Sequence, residues 1–217
     1  MAVGKFITLE GGEGVGKSTQ IGLLAEGLRA QGLEVLTTRE PGGSPGAEEI
    51  RKLLVSGGND RWQPRTEALL HTAARVDHVE KVIQPALAKG AWVICDRFAD
   101  STLAYQGYGH GLGREWVEDL YRLTFGTFHP DLTLVLDLDL DVGLKRGTAE
   151  ARGEDRYERM GREFHQRLRQ GYQEIARRNP ERCLIIDAAG DIHAVQRARS
   201  EEHTSELQSR FGISYAV

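Results

Sequence analysis

Short apolar runs alternate along this chain with longer stretches in which apolar residues recur every three or four positions. The run Phe6-Ile7-Thr8-Leu9 predicts a strand over Lys5–Leu9. Leu23, Leu24 and Leu28 then fall at helical spacing, predicting a helix over Lys17–Ala30 that ends at Gly32. Leu33–Thr37 reads as a second strand. A Pro/Gly turn, Glu40 to Gly43, precedes a helix around Ala47–Val55, and Thr66–Lys89 reads as one long helix bent near Pro85. Ala91–Cys95 is almost wholly apolar and ends at Asp96, which suits a parallel strand covered on both faces. Helices are expected at Ser101–Gln106, Arg114–Phe125, Val142–Arg146 and Tyr157–Arg177, with strands at Leu132–Leu136 and Cys183–Ile186. This alternation predicts an α/β fold: a five-stranded parallel sheet with helices on both faces. Such sheets bind ligands beyond the carboxyl ends of their strands, where Glu10, Arg39, Asp96 and Arg97 lie.

The periodicity stops near the C-terminus. Ile192, Val195 and Ala198 predict a final helix, but Arg199 to Ser209 (RSEEHTSELQS) has one large apolar residue, Leu207. That string resembles one reading frame of a common sequencing-library adapter. Residues 1–198 are therefore read as one domain and 199–217 as a non-native tail, with a solvated natural tail as the alternative; either way the segment is set aside from functional reasoning.

Composition narrows the class. A chain of 217 residues can bury one full core, and a net charge of −4 argues against nucleic acid as a partner. No apolar stretch reaches transmembrane length and no signal peptide is evident, so a cytoplasmic protein is expected with no membrane partner. Cys95 and Cys183 sit in apolar runs and are read as buried core residues rather than a disulfide or metal pair.

Chemistry enters directly after the first strand. Gly11, Gly12, Glu13, Gly14, Val15, Gly16, Lys17 and Ser18 match G-x-x-x-x-G-K-S/T, the phosphate loop, between a strand and a helix. Glycines let successive N–H groups face one concavity, and the next helix adds its positive end. This predicts a P-loop NTPase fold that binds ATP through residues 11–19, including Thr19, with Lys17 on the phosphates and Ser18 on Mg²⁺.

A phosphate loop alone does not separate a kinase from a GTPase switch or a motor. A switch would carry D-x-x-G after the third strand, whereas Asp96 is followed by Arg97, Phe98 and Ala99. Arginine is plentiful instead, at 39, 75, 97, 146, 152 and 156. Transfer between two phosphorylated molecules needs such groups, because donor and acceptor repel and planar guanidinium groups grip oxygens in pairs.

The ordered set Gly11–Ser18, Thr38-Arg39-Glu40-Pro41-Gly42-Gly43, Ala73-Ala74-Arg75, Asp96-Arg97, Ala104-Tyr105-Gln106-Gly107 and Pro130-Asp131-Leu132-Thr133 resembles thymidylate kinase from Lys5 to about Ala198. The segment Arg152 to Arg156 resembles the lid (about 147–157) of the bacterial form, in which the lid supplies the catalytic arginine that the phosphate loop lacks; Glu13 occupies that loop position here.

The resemblance implies a nucleoside monophosphate kinase that phosphorylates dTMP to dTDP with ATP and Mg²⁺, as a homodimer. It implies catalytic roles for Lys17, Glu13, Arg97 and either Arg152 or Arg156. Ser18 and Asp96 serve the metal, although Asp96 also suits a helix N-cap. The acceptor is met by Arg39 and Arg97 at its phosphate, Arg75 and Gln106 at its base, Tyr105 at the 2′ side of its sugar and Ser101 nearby. Pro41 marks a tight turn, cis or trans. The family commonly stacks the base on a Phe one turn before the arginine; His71 is the candidate for that place. Two alternatives stand: a kinase for another nucleotide such as dUMP, and a nucleotide-triggered binding module.

Overall fold

The structure, a computed structural model, describes residues 4–150, 156–157 and 159–190, with residues 147–150 in backbone only. Arg152, the expected final helix and the tail 199–217 lie outside the described residues. Five strands, β1 (Phe6–Gly11), β2 (Val35–Arg39), β3 (Trp92–Asp96), β4 (Leu132–Asp137) and β5 (Cys183–Asp187), form one sheet in the order β2-β3-β1-β4-β5. All pairs are parallel. The register sets Leu9 and Arg39 both opposite Asp96, and Gly11 opposite Leu136, so the functional ends align at one edge.

Helices α1 (Lys17–Ala30), α2 (Pro45–Val55), α3 (Pro64–His78), α4 (Gln84–Ala88), α5 (Ala99–Thr102), α6 (Arg114–Phe125), α7 (Leu140–Glu150) and α8 (Arg162–Arg178) connect the strands. Every residue of β1 is buried, as a central strand covered on both faces requires. On one face Leu24, Ala25 and Leu28 of α1 pack on Ile7, Leu9, Ile94 and Leu134. On the other, Leu168, Tyr172 and Ile175 of α8 pack with Val135 and Tyr105, and Phe6 and Phe98 meet edge to face at 4.9 Å. Each such apolar side chain contributes roughly 1.5–3 kcal/mol by leaving water. Cys95 and Cys183 are buried and free. Among the described residues no helix is long and apolar enough to cross a membrane.

Three expectations are corrected. The long helix is not a plain α-helix bent at Pro85: a π segment, Val79–Ile83, joins α3 to α4, with Gln84 N–H donating five residues back to Val79 O. The widened turn immediately precedes Pro85, which has no N–H to donate and whose ring crowds the carbonyl four residues back. The helix expected to stop at Gln106 continues as a second π segment, Leu103–Gly109, with His110 N–H donating to Tyr105 O at 2.8 Å. Finally, Tyr157 lies in a turn rather than at the head of α8, which begins after Gly161.

Candidate active site

β1 leads straight into the phosphate loop. Gly11, Gly14 and Gly16 adopt φ of 133°, 67° and 90°, in the left-handed region that disfavours side chains. At Gly11 a Cβ would also lie 2.4 Å from Leu136 O, so only glycine fits. Lys17 folds back on its own loop, donating to Gly12 O at 2.8 Å and Gly11 O at 3.3 Å. Burial, and then the charge of Arg97, hold its ammonium below the usual lysine range despite Glu13, Asp96 and Glu10. An anion in the loop would relieve that shortfall.

Arg97 follows β3 with φ 67°, a left-handed conformation that costs of order 1–3 kcal/mol outside glycine. Its N–H still donates to Leu9 O at 3.0 Å, so the chain turns sharply while held against β1. The guanidinium donates to Glu13 Oε1 and to Gly11 O, each at 2.9 Å, and to Tyr172 Oη at 3.2 Å. Tyr105 donates to the same Glu13 oxygen at 2.6 Å. Burial alone would raise the Glu13 carboxyl, but Arg97, Lys17 and the Tyr105 hydroxyl outweigh it and bring the pKa to about 2.

Beneath Arg97 lies Glu10, fully buried, accepting from Phe98 N–H at 2.7 Å, Ser101 Oγ at 2.6 Å and Tyr172 Oη at 3.1 Å. Burial and the Asp100 charge raise its pKa to about 7 against those bonds.

The far end of the site is built on α3 and the second π segment. Arg75 is buried, with Nε donating to Glu40 Oε2 at 2.6 Å and Nη2 to Phe98 O and Thr102 Oγ1, each at 3.0 Å. Glu40 also contacts His78 Nδ1 at 3.0 Å, and its peptide to Pro41 is cis. Gln106 Nε2 donates to Glu67 Oε1 at 2.7 Å. His71 Nε2 lies 2.9 Å from Tyr157 Oη. Burial, partly opposed by Glu67, depresses the His71 pKa to about 3, so its ring is neutral. Arg39 stays exposed at the rim and meets Glu48 at 3.3 Å.

These residues share one cavity of about 710 Å³, within the range of small-molecule sites. Glu13 to Thr19 and Asp96 wall it, as do all the acceptor candidates: Arg39, His71, Arg75, Arg97, Ser101, Tyr105 and Gln106. Asp96 Oδ1 is buried without a partner among the described residues, which fits a carboxylate kept for a cation held with the Ser18 hydroxyl. Arg156 does not join the cavity wall. Its guanidinium is fully buried, paired with Glu67 and donating to Leu54 O at 3.3 Å, Gly58 O at 3.0 Å and Asn59 O at 3.2 Å.

Sequence reasoning placed Glu10 at a strand end without giving it a role and missed Glu40, Glu67 and Tyr172; these four hold the predicted residues in place, and Arg51 and Tyr157, also missed, help wall the cavity. Glu40 lies inside the T-R-E-P-G-G string and was therefore findable; Tyr172, in the middle of an amphipathic helix, carried no signal.

The family model for thymidylate kinase matches residues 9–198. The chain is 57% identical over 202 residues to a thymidylate kinase of Caulobacter vibrioides, covering 93% of this chain and 96% of that one. It is 53% identical over 211 residues to a thymidylate kinase of Afipia carboxidovorans, covering 95% and 91%. Among solved structures, a thymidylate kinase from Ehrlichia chaffeensis superposes with a TM-score of 0.74 at 35% identity, covering 94% of this chain and 99% of that one.

Proposed function

This chain belongs to the thymidylate kinase family, and from that premise we propose how it phosphorylates dTMP at the expense of ATP: the phosphate loop holds the donor, and the guanidinium-lined end of the same cavity holds the acceptor. One observation carries the assignment of residues. Arg97, in a strained backbone conformation, sits between the loop carboxylate of Glu13 and the hydroxyl of Tyr172, in a cavity shared with Lys17. Strain of that kind persists where the surroundings fix it, and here they aim a cation between two phosphate sites.

Lys17 and the loop amides bind the β- and γ-phosphates of ATP. Ser18 and Asp96 would hold Mg²⁺, which would neutralise donor charge when bound. Arg97 grips the acceptor phosphate and aligns its oxygen in line, with Arg39 closing from the rim. The acceptor is already an anion, so no strong base is needed. Glu13 keeps Arg97 oriented before substrate arrives, and Tyr105, tied to that carboxylate, closes the 2′ side of the sugar. Arg75 serves a base carbonyl, and His71, neutral and beside Tyr157, offers its ring to the base. Arg156 is committed to Glu67 and three carbonyls. We therefore assign the arginine that meets the moving phosphoryl group to Arg152.

The enzyme works in the cytoplasm as a homodimer, without nucleic acid or membrane. Leu53 of α2 and Leu69 of α3, 40% and 51% exposed on packed helices, support a pairing surface there.

Coupled ADP release with dTMP, dUMP, dCMP and dGMP tests this reading. dUMP lacks one methyl and should turn over roughly 10- to 200-fold less efficiently. Comparable turnover of any other nucleotide overturns the assignment, and slow ATP hydrolysis indifferent to dTMP favours a binding module.

A further inference from the structure

We propose that Glu67 sets base specificity: by accepting from the Gln106 amide nitrogen it fixes which way that side chain faces, so that the carbonyl oxygen rather than the nitrogen is set toward the ring position of the base, and the cavity selects a base with a ring N–H. The proposal rests on the dTMP reading above and refines it. Free glutamine can donate and accept, and so suits either pyrimidine. Here the choice is removed. Gln106 is 1% exposed and its Nε2 lies 2.7 Å from Glu67 Oε1. An ionised carboxylate accepts but never donates, so the amide cannot turn over without placing two acceptors face to face.

Glu67 is held in the ionised form. It is fully buried, pairs with Arg156 and lies 3.4 Å from His110 Nε2. Burial alone would raise its pKa, but His110, His71 and Arg156 together bring it to about 2. At neutral pH the carboxylate therefore stays an acceptor.

The remaining polar atom of Gln106, Oε1, is buried without a partner among the described residues, and Gln106 walls the main cavity. Leaving a buried amide oxygen unpaired is costly unless a ligand completes it. Arg75, a donor only, walls the same cavity. The pair thus presents one donor and one acceptor. Thymine and uracil match with a carbonyl and the adjacent N3–H. Cytosine presents an amino donor and a bare N3, the wrong group at both places.

Two measurements test this. In the unaltered enzyme, dTMP methylated at N3 lacks the donor and should lose about 30-fold or more in kcat/KM relative to dTMP. Equal turnover of the two overturns the role of Gln106 Oε1. If dTMP itself is not phosphorylated, the functional reading fails instead, and the two failures are distinct. Glu67→Gln frees the amide to rotate. The ratio of kcat/KM for dTMP over dCMP should then fall about 10-fold or more, with the KM for ATP unchanged. Glu67→Asp, which keeps a charge for Arg156 but withdraws it from Gln106, should lower the same ratio and serves where Glu67→Gln does not fold. A merely structural role lowers both substrates together, and an unchanged ratio in the folded variant overturns the proposal.

Discussion

Arg97 Nη2 and Glu13 Oε1 lie 2.9 Å apart, bridging the turn after β3 and the phosphate loop. Glu13 belongs to the phosphate loop and Arg97 to the turn after β3, so one ion pair ties the two halves of the site together. Both side chains are largely shielded from solvent, at 22% and 16% exposure, and the pair is reinforced by the Tyr105 hydroxyl. An arginine held this way is pre-oriented, which spares the ordering cost when the acceptor binds.

On the role proposed for Arg97, Arg97→Ala removes two or more charge-assisted bonds to the acceptor phosphate, each worth roughly 1.5–3 kcal/mol. The kcat/KM for dTMP should fall about 10²- to 10⁴-fold, while ATP affinity, measured by nucleotide titration, stays within about threefold. Collapse of ATP binding would place Arg97 on the donor side instead.

Asp96 supplies the second prediction. Its Oδ1 is buried and unpartnered among the described residues, and Asp96 lines the same cavity as Lys17 and Ser18. Asp96→Asn keeps the shape and removes the charge. The Mg²⁺ concentration giving half-maximal rate should rise about 10- to 100-fold, with partial recovery at high Mg²⁺. A variant that saturates at the same Mg²⁺ as the parent would show that Asp96 does not serve the metal.

Much of this site was legible in the sequence because the phosphate loop and strand ends are local. Gly11–Ser18 has its spacing fixed by backbone geometry, and the βα alternation puts Arg39 and Asp96 at neighbouring strand ends, where the register sets them opposite one another. The π segments were not legible, since a widened turn keeps the composition of an α-helix; the helix expected over Ser101–Gln106 stops three residues short of the end of the π segment at Gly109. The buried acids were hidden for a different reason. Glu67 and Gln106 are 39 residues apart, and Glu10 and Tyr172 are 162 apart, so their pairing is a property of packing. A polar residue on the inner face of a helix does not announce its partner. Arg156 shows the same limit from the other side: its place in the lid string suggests a catalytic arginine, whereas its neighbours on the loop after α2 and Glu67 on α3 make it a buried anchor.

Glu10 gives the last prediction, and its sign follows from where its proton sits. The folded pKa of about 7 exceeds the ordinary 4.5, so between those values the folded state holds a proton that the unfolded chain has released. Stability from this group is fully present below pH 4.5 and is lost as pH rises through 7. Glu13 and Glu67, both near 2, act oppositely, losing their contribution as pH falls below 4.5. His71, near 3 against an ordinary 6.5, likewise costs stability as pH falls through that interval, because the unfolded imidazole takes up a proton the folded one refuses. Glu10→Gln cannot ionise but can still accept from Phe98 N–H. Relative to the parent, it should gain more at pH 8 than at pH 4.5, by up to about 3 kcal/mol. Urea unfolding at the two pH values measures this directly, with the other groups cancelling between parent and variant. An equal difference at both would show that Glu10 titrates alike in the folded and unfolded chain, so that at neutral pH Ser101 and Tyr172 hold a carboxylate beneath Arg97.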